Sequence, residues 1–185
     1  YSLFMQFKYD EAIPLYEKLI AQGFDNFESN FILGLCYEDQ PDNEKALKHY
    51  QKAVQFKSDN ATCLFHLALV EKAFNMDSLS MAHFNQSLEV SLPKGRALRT
   101  YKWLADLHFQ HHRYADAARD FELCTLYDEE DNPLNYYNAA QMLIASKNKL
   151  KAKLYLQMFL ANANRLEDKK EAAQLISKAK EQLKQ

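Results

Sequence analysis

The densest cluster of ligand-type side chains in this sequence is Asp106, His108, His111 and His112. His108 and His112 stand one helical turn apart, a spacing that puts two imidazoles on one face where they could hold a metal ion. A helical zinc-hydrolase motif also needs a glutamate inside the pair and a third ligand, and the sequence around them supplies neither. The pair therefore reads as helix packing, and no metal is expected. Cys36, Cys63 and Cys124 are the candidate nucleophiles. Only Cys63 has a histidine one turn away, His66, and no third group stands ready to orient it. No glycine-rich phosphate loop and no ordered serine, histidine and aspartate with strand context occurs. Neither an enzyme nor a bound cofactor is expected.

The elements that position these residues follow from composition and period. A chain of 185 residues, 48% hydrophobic and 26% charged, has the make-up of a folded globular protein. Glycine is scarce at 3 residues and proline at 4, too few turn residues for a strand-rich fold. No apolar run is long enough to span a bilayer, so membrane insertion is not expected, and no signal-peptide pattern shows at the start. Three cysteines make no disulfide framework; they read as buried free thiols and favour a soluble, cytoplasmic setting. The formal charge of −2 offers no global attraction to nucleic acid. Its distribution is uneven, with +6 over residues 147–185 against −8 over residues 1–146. That basic end is either a solvated helix face or an electrostatic docking surface.

The sequence repeats. Gly34, Tyr37, Ala46, Tyr50 and Ala53 recur 34 residues later as Ala68, Glu71, Ser80, Phe84 and Ser87. Ala105, His108, Ala117, Phe121 and Cys124 follow after 37 residues, and Ala140, Leu143, Ala152, Leu156 and Phe159 after a further 35. The three extra residues fall near Pro93, Lys94 and Gly95. Tyr9, Ala12, Tyr16 and Leu19 match the second half of a unit, so the chain opens inside a repeat and reads as a segment of a longer protein. Small and aromatic residues three and four apart define two helical stripes per unit, hence a helical hairpin. In the first full unit these helices are expected over Asn30 to Asp39 and Glu44 to Lys57. Asp25 and Glu28 suit a capping box, Gly23 a left-handed C-cap, Ser58, Asp59 and Asn60 the N-cap chemistry of the next unit, and Asn132 with Pro133 an N-cap and first helical position. Pro14, inside a helical stretch, predicts a kink or a late start.

The period, the helix pair and the residue types resemble the tetratricopeptide repeat family, whose unit carries small residues at positions 8, 20 and 27. Position 8 is Gly34, Ala68, Ala105 and Ala140; position 20 is Ala46, Ser80, Ala117 and Ala152; position 24, a large ring in the family, is Tyr50, Phe84, Phe121 and Leu156. The resemblance implies an all-α fold, a right-handed superhelical solenoid of antiparallel helix pairs with a C-terminal capping helix. Residues 1–185 then form one domain. It divides into a partial repeat over 1–26, repeats over 27–60, 61–94, 98–131 and 133–164, and the capping helix over 165–185. The small residues leave room for close helix approach, and the rings at position 24 are expected to fill the core.

In that family positions 2, 5, 9 and 13 of the first helix face a concave groove, with position 6 at its border. The implied groove residues are Phe31 and Leu35, then Phe65, His66 and Leu69. The third repeat adds Arg99, Lys102, Trp103 and Asp106, and the fourth Tyr137, Asn138 and Gln141. Large apolar groups off the packing stripe suit a partner. The function expected is a non-catalytic adaptor or scaffold that binds a protein or peptide in this groove. The alternative is a self-associating element, a homodimer that packs through the apolar groove and the truncated first repeat. Some relatives clamp a C-terminal carboxylate with lysine and asparagine. Lys102 and Asn138 could take two of those places, but Asp106 would repel the carboxylate, so no such binding is expected.

Overall fold

The computed structural model describes residues 9–184, so the first eight residues of the expected partial repeat lie outside the described residues. No helix among them is long and apolar enough to cross a membrane. The chain forms two compact units, one ending at Leu92 and the other beginning at Pro93. All regular elements in the described residues are helical.

The first unit comprises α1 (Tyr9–Ala21), α2 (Phe27–Asp39), α3 (Asn43–Phe56), α4 (Ala61–Ala73) and α5 (Asp77–Val90). α2 pairs with α3 and α4 with α5, while α1 packs on α2 and α3 on α4. α2, α3 and α4 start where a side chain satisfies a free N–H group, whereas Met76 ahead of α5 makes no such bond. The Asn26 side chain accepts from the Ser29 amide at 2.9 Å and Asn60 from the Cys63 amide at 2.9 Å. The N-cap expected at Asp25, in a capping box with Glu28, falls one residue later. Asn26 is the cap, because Asp25 is taken up by Asn30 Nδ2 at 2.7 Å and Lys52 Nζ at 3.1 Å. This is also why α2 begins at Phe27 rather than Asn30. Gly23 ends α1 at φ +95°, the left-handed backbone expected of it. α1 runs through Pro14 from Tyr9 rather than starting late, leaving the Asp10 carbonyl without its usual donor.

The core of this unit explains the small residues. Leu33, Tyr37, Ala46, Tyr50, Ala53, Cys63, Leu67 and Val70 form one buried cluster. Gly34 lies directly under the Tyr50 ring, so that a Cβ added there would sit 2.5 Å from Tyr50 Cε1. At position 20 of the next hairpin, Ser80 Oγ donates to the Ala68 carbonyl at 2.8 Å, joining positions 20 and 8 through a buried hydrogen bond.

The second unit comprises α6 (Lys94–Gln110), α7 (Tyr114–Tyr127), α8 (Pro133–Ala145), α9 (Lys149–Asn162), a short turn of 3₁₀ helix and α10 (Lys169–Gln182). The three extra residues lengthen a helix rather than a loop: α6 has 17 residues where α2, α4 and α8 have 13. Asn132 caps α8, with Pro133 in its first turn. α10 places Leu175, Ile176 and Leu183 against a core of Tyr136, Tyr137, Ala140, Leu156, Phe159 and Ala163, and so covers the last hairpin. Position 24 is less uniform than expected. Tyr50, Phe84 and Leu156 are fully buried, whereas Phe121 is half-buried.

Three of the hairpin turns place a residue other than glycine in left-handed backbone at the same repeat position: Asn75 (φ 56°), His112 (φ 58°) and Lys147 (φ 64°). This conformation costs a side-chain-bearing residue about 1–2 kcal/mol, less for asparagine. His112→Gly should therefore raise the thermal midpoint, by the equivalent of ~0.5–1 kcal/mol after glycine's entropy cost. A loss of stability on that substitution would mean that the contact of the imidazole with the Tyr114 hydroxyl outweighs the relief of the turn.

Candidate interaction surface

The polar side chains that looked most chemical take separate partners rather than one another. His108 Nδ1 lies 2.6 Å from Asp120 Oδ2 on α7, both nearly buried. Burial is the main cause that raises the Asp120 carboxyl to about 6, opposed by its hydrogen bond to His108. His112 lies elsewhere, at the turn, with Nδ1 2.9 Å from the Tyr114 hydroxyl. Asp106 accepts from Gln110 Nε2 at 3.0 Å. Burial pushes the thiols up, Cys36 to about 11 and Cys63 and Cys124 to about 12, so none is a thiolate near neutral pH. His66 Nδ1 faces Glu38 at 2.9 Å rather than Cys63, whose thiol points at the Tyr50 carbonyl at 4.0 Å. Glu38 also accepts from the Tyr50 hydroxyl at 2.5 Å, so one carboxylate ties α2 to both α3 and α4.

A pairing missed in the sequence recurs at an offset of 12 residues. Tyr37 stacks on His49 with ring centres 5.6 Å apart, Glu71 meets His83 at 2.8 Å, and His108 meets Asp120. In the last repeat Leu143 and Tyr155 occupy these places in one apolar cluster. Every pair joins the two helices of a hairpin, and the repeated offset between helices was the available signal.

The groove residues implied by the resemblance fall into two sets, one in each unit. In the first, Phe31 is half-buried and stacks on Phe27 at 5.5 Å; Leu35 and Leu69 are also half-buried. Leu35, Glu38, Asp39 and His66 line a shallow depression with Tyr9. Phe65 is different. It is only 2% exposed, because its ring reaches across the hairpin to Phe84, 5.9 Å away, and meets His66 edge-on at 5.4 Å. In the second unit, α6 carries Arg99 and Lys102 exposed, Trp103 36% exposed and Asp106 half-buried. Tyr137 is 6% exposed and packs on Phe159 at 5.0 Å, with its hydroxyl buried and making no hydrogen bond. Asn138 is half-buried. Gln141 is engaged by Gln182 of α10 through two amide hydrogen bonds of 2.9 and 3.0 Å. Phe65, Tyr137 and Gln141 thus serve the core and the capping helix. A ring at position 5 is long enough to lean onto the second helix, a reach that a single-helix stripe does not register.

Hairpins of this period, with small residues at positions 8 and 20 beneath large side chains at position 24, define a class: the chain carries the tetratricopeptide-repeat fold, typical of protein-interaction scaffolds and generally non-catalytic. Residues 5–76 match the family model for anaphase-promoting complex, cyclosome, subunit 3. DnaJ homolog subfamily C member 3 of Gallus gallus is 24% identical over 92% of this chain. The chain spans 37% of that relative's length and 24% of that of the Vi polysaccharide export protein VexE of Salmonella typhi, a further match at 27% identity over 86% of this chain. Among solved structures, MamA matches with a TM-score of 0.72 at 15% identity, over 90% of each chain. YrrB, described as a tetratricopeptide-repeat protein with an unusual peptide-binding site, matches with a TM-score of 0.65 at 13% identity, over 90% of this chain and 91% of its own.

Proposed function

We propose that the chain is a non-catalytic interaction module that binds a peptide or protein segment along the outward faces of its first helices. The observation that carries this reading is α6. Its inward side chains Leu104, Leu107 and His108 are buried, while Arg99, Lys102 and Trp103 stand exposed together on the outward side. Arginine and tryptophan are residue types that concentrate binding energy. In the first unit Phe31, Leu35 and Leu69 offer a more apolar face of the same kind. YrrB, whose description includes peptide binding, supports the reading by likeness of fold.

The test is truncation with a stability control. Trp103→Ala and Arg99→Ala should each weaken binding of a partner captured with the intact chain by ~1–4 kcal/mol. The unfolding midpoint should stay nearly unchanged in Arg99→Ala, whose side chain is exposed, and Trp103→Ala, which removes a ring only 36% exposed, is compared at a temperature where circular dichroism shows it folded. Unaltered binding by both variants would remove α6 from the interface.

A second reading, self-association, rests on α1. Leu15 and Leu19, one turn apart, are 51% and 37% exposed. Sedimentation separates the two readings, since only self-association gives a dimer whose population rises with concentration.

A further inference from the structure

We propose that the outer face of α9 docks an acidic amphipathic helix of a partner protein, gripping it through Leu150 and Leu154 between flanking lysines. The other second helices supply the comparison. At the places equivalent to Leu150 and Leu154, α3 has Glu44 and Lys48, α5 has Ser78 and Ala82, and α7 has Ala115 and Arg119, all exposed. These are polar or small residues suited to water. α9 instead presents two leucines one turn apart, 85% and 52% exposed. Its opposite face is already used, with Ala152, Leu156 and Phe159 buried in the core. α9 is therefore a helix with two apolar faces, of which the hairpin covers one.

The flanks decide the occupant. Residues 147–166 contain no aspartate or glutamate. By helical geometry Lys149 and Lys153 fall on one side of the leucine pair and Lys151 on the other. Lys151 is held by Glu122 at 2.6 Å, while Lys147, Lys149 and Lys153 are exposed. A shallow depression along this face is lined by Asn148, Leu150, Lys151, Lys153, Leu154 and Gln157. A short apolar seam whose Lys149 and Lys153 edge is positive, the Lys151 edge being neutralised by Glu122, complements a helix whose apolar seam has a negative edge, as in the flanking charges that set pairing in coiled coils. A bilayer fits less well. Interfacial helices sink a broad apolar face into the lipid, and two leucines on a helix fixed in a hairpin do not provide one. This surface is separate from the first-helix faces of the proposed function and stands or falls independently of them.

The probe is a labelled three-heptad peptide with leucine at the a and d positions and glutamate at e and g, titrated against the intact chain and compared with a scrambled peptide of the same composition. Fluorescence anisotropy should show binding that is lost by roughly tenfold or more in the Leu150→Ser, Leu154→Ser double variant. It should weaken severalfold with Lys149→Glu and Lys153→Glu together, decline with rising salt, and survive Trp103→Ala. Both leucines are exposed, so an unchanged circular dichroism midpoint will show that the double variant remains folded. Equal binding by the double variant or by the scrambled peptide overturns the proposal. Loss of binding in Trp103→Ala also overturns it, by moving the peptide to the first-helix surface. Two other results assign the face to a different occupant and equally refute it: retention on phosphatidylserine vesicles without peptide binding, or a dimer that the double serine variant dissolves.

Discussion

Gly34→Leu should cost the first unit more than ~3 kcal/mol, at or above the upper end of ordinary overpacking. A Cβ alone would come within 2.5 Å of Tyr50. The ring has nowhere to retreat: its hydroxyl is hydrogen-bonded to Glu38, one side stacks on His66 at 5.9 Å, and it is fully buried. Gly34→Ala should still destabilise, by ~1–2 kcal/mol, even though alanine favours helix over glycine by about 1 kcal/mol. Gly95 provides the control. An added Cβ there meets nothing within 4 Å, so Gly95→Ala should be neutral or stabilising by up to ~1 kcal/mol. Chemical denaturation of the three variants checks the set, and a neutral Gly34→Leu would mean that the hairpin register is wrong.

His108→Ala should destabilise the second unit by ~3–5 kcal/mol at neutral pH, because it leaves the Asp120 carboxylate buried without its partner. The effect should shrink on acidification. Burial raises the Asp120 carboxyl from 3.8 to about 6, so between these values the folded chain holds a proton that the unfolded chain releases. The unfolded state then binds fewer protons, and this group's contribution to stability is fully present below pH 4 and falls as pH rises to about 6, by ~3 kcal/mol at most. Asp120→Asn keeps an acceptor for the imidazole and should flatten that slope. Denaturant midpoints measured across this pH range for the three proteins provide the comparison. A slope that persists in Asp120→Asn would place the titration on another group.

The repeat was legible because Gly34 and Ala46 answer a steric demand that few residue types satisfy: a helix can lie against the Tyr50 ring only where there is almost no side chain. The same demand recurs at Ala68, Ala105 and Ala140, so residue type alone carried the period. The partners of position 11 were hidden for the opposite reason. Tyr37 with His49, Glu71 with His83, His108 with Asp120 and Leu143 with Tyr155 fill one place in space with a ring stack, two histidine–carboxylate pairs and an apolar contact. What is constant there is the geometry, not the chemistry. Phe65 and Tyr137 were assigned to an open stripe because a helical wheel shows where a Cβ points, not how far a ring reaches; each ends on an aromatic of the facing helix. The two leucines of α9 were visible in the sequence, but their exposure depends on which face the hairpin covers, and that is set by the packing of Ala152, Leu156 and Phe159 into the core.

Amide hydrogen exchange of the intact chain with and without a captured partner tests the central claim, that this is an interaction module which binds through its first helices, most directly. The account predicts added protection along α6 around Arg99 to Asp106, with or without α2 and α4, and loss of that protection in Trp103→Ala. Protection confined to the second helices α3, α5 and α7, with α6 unchanged, would contradict it.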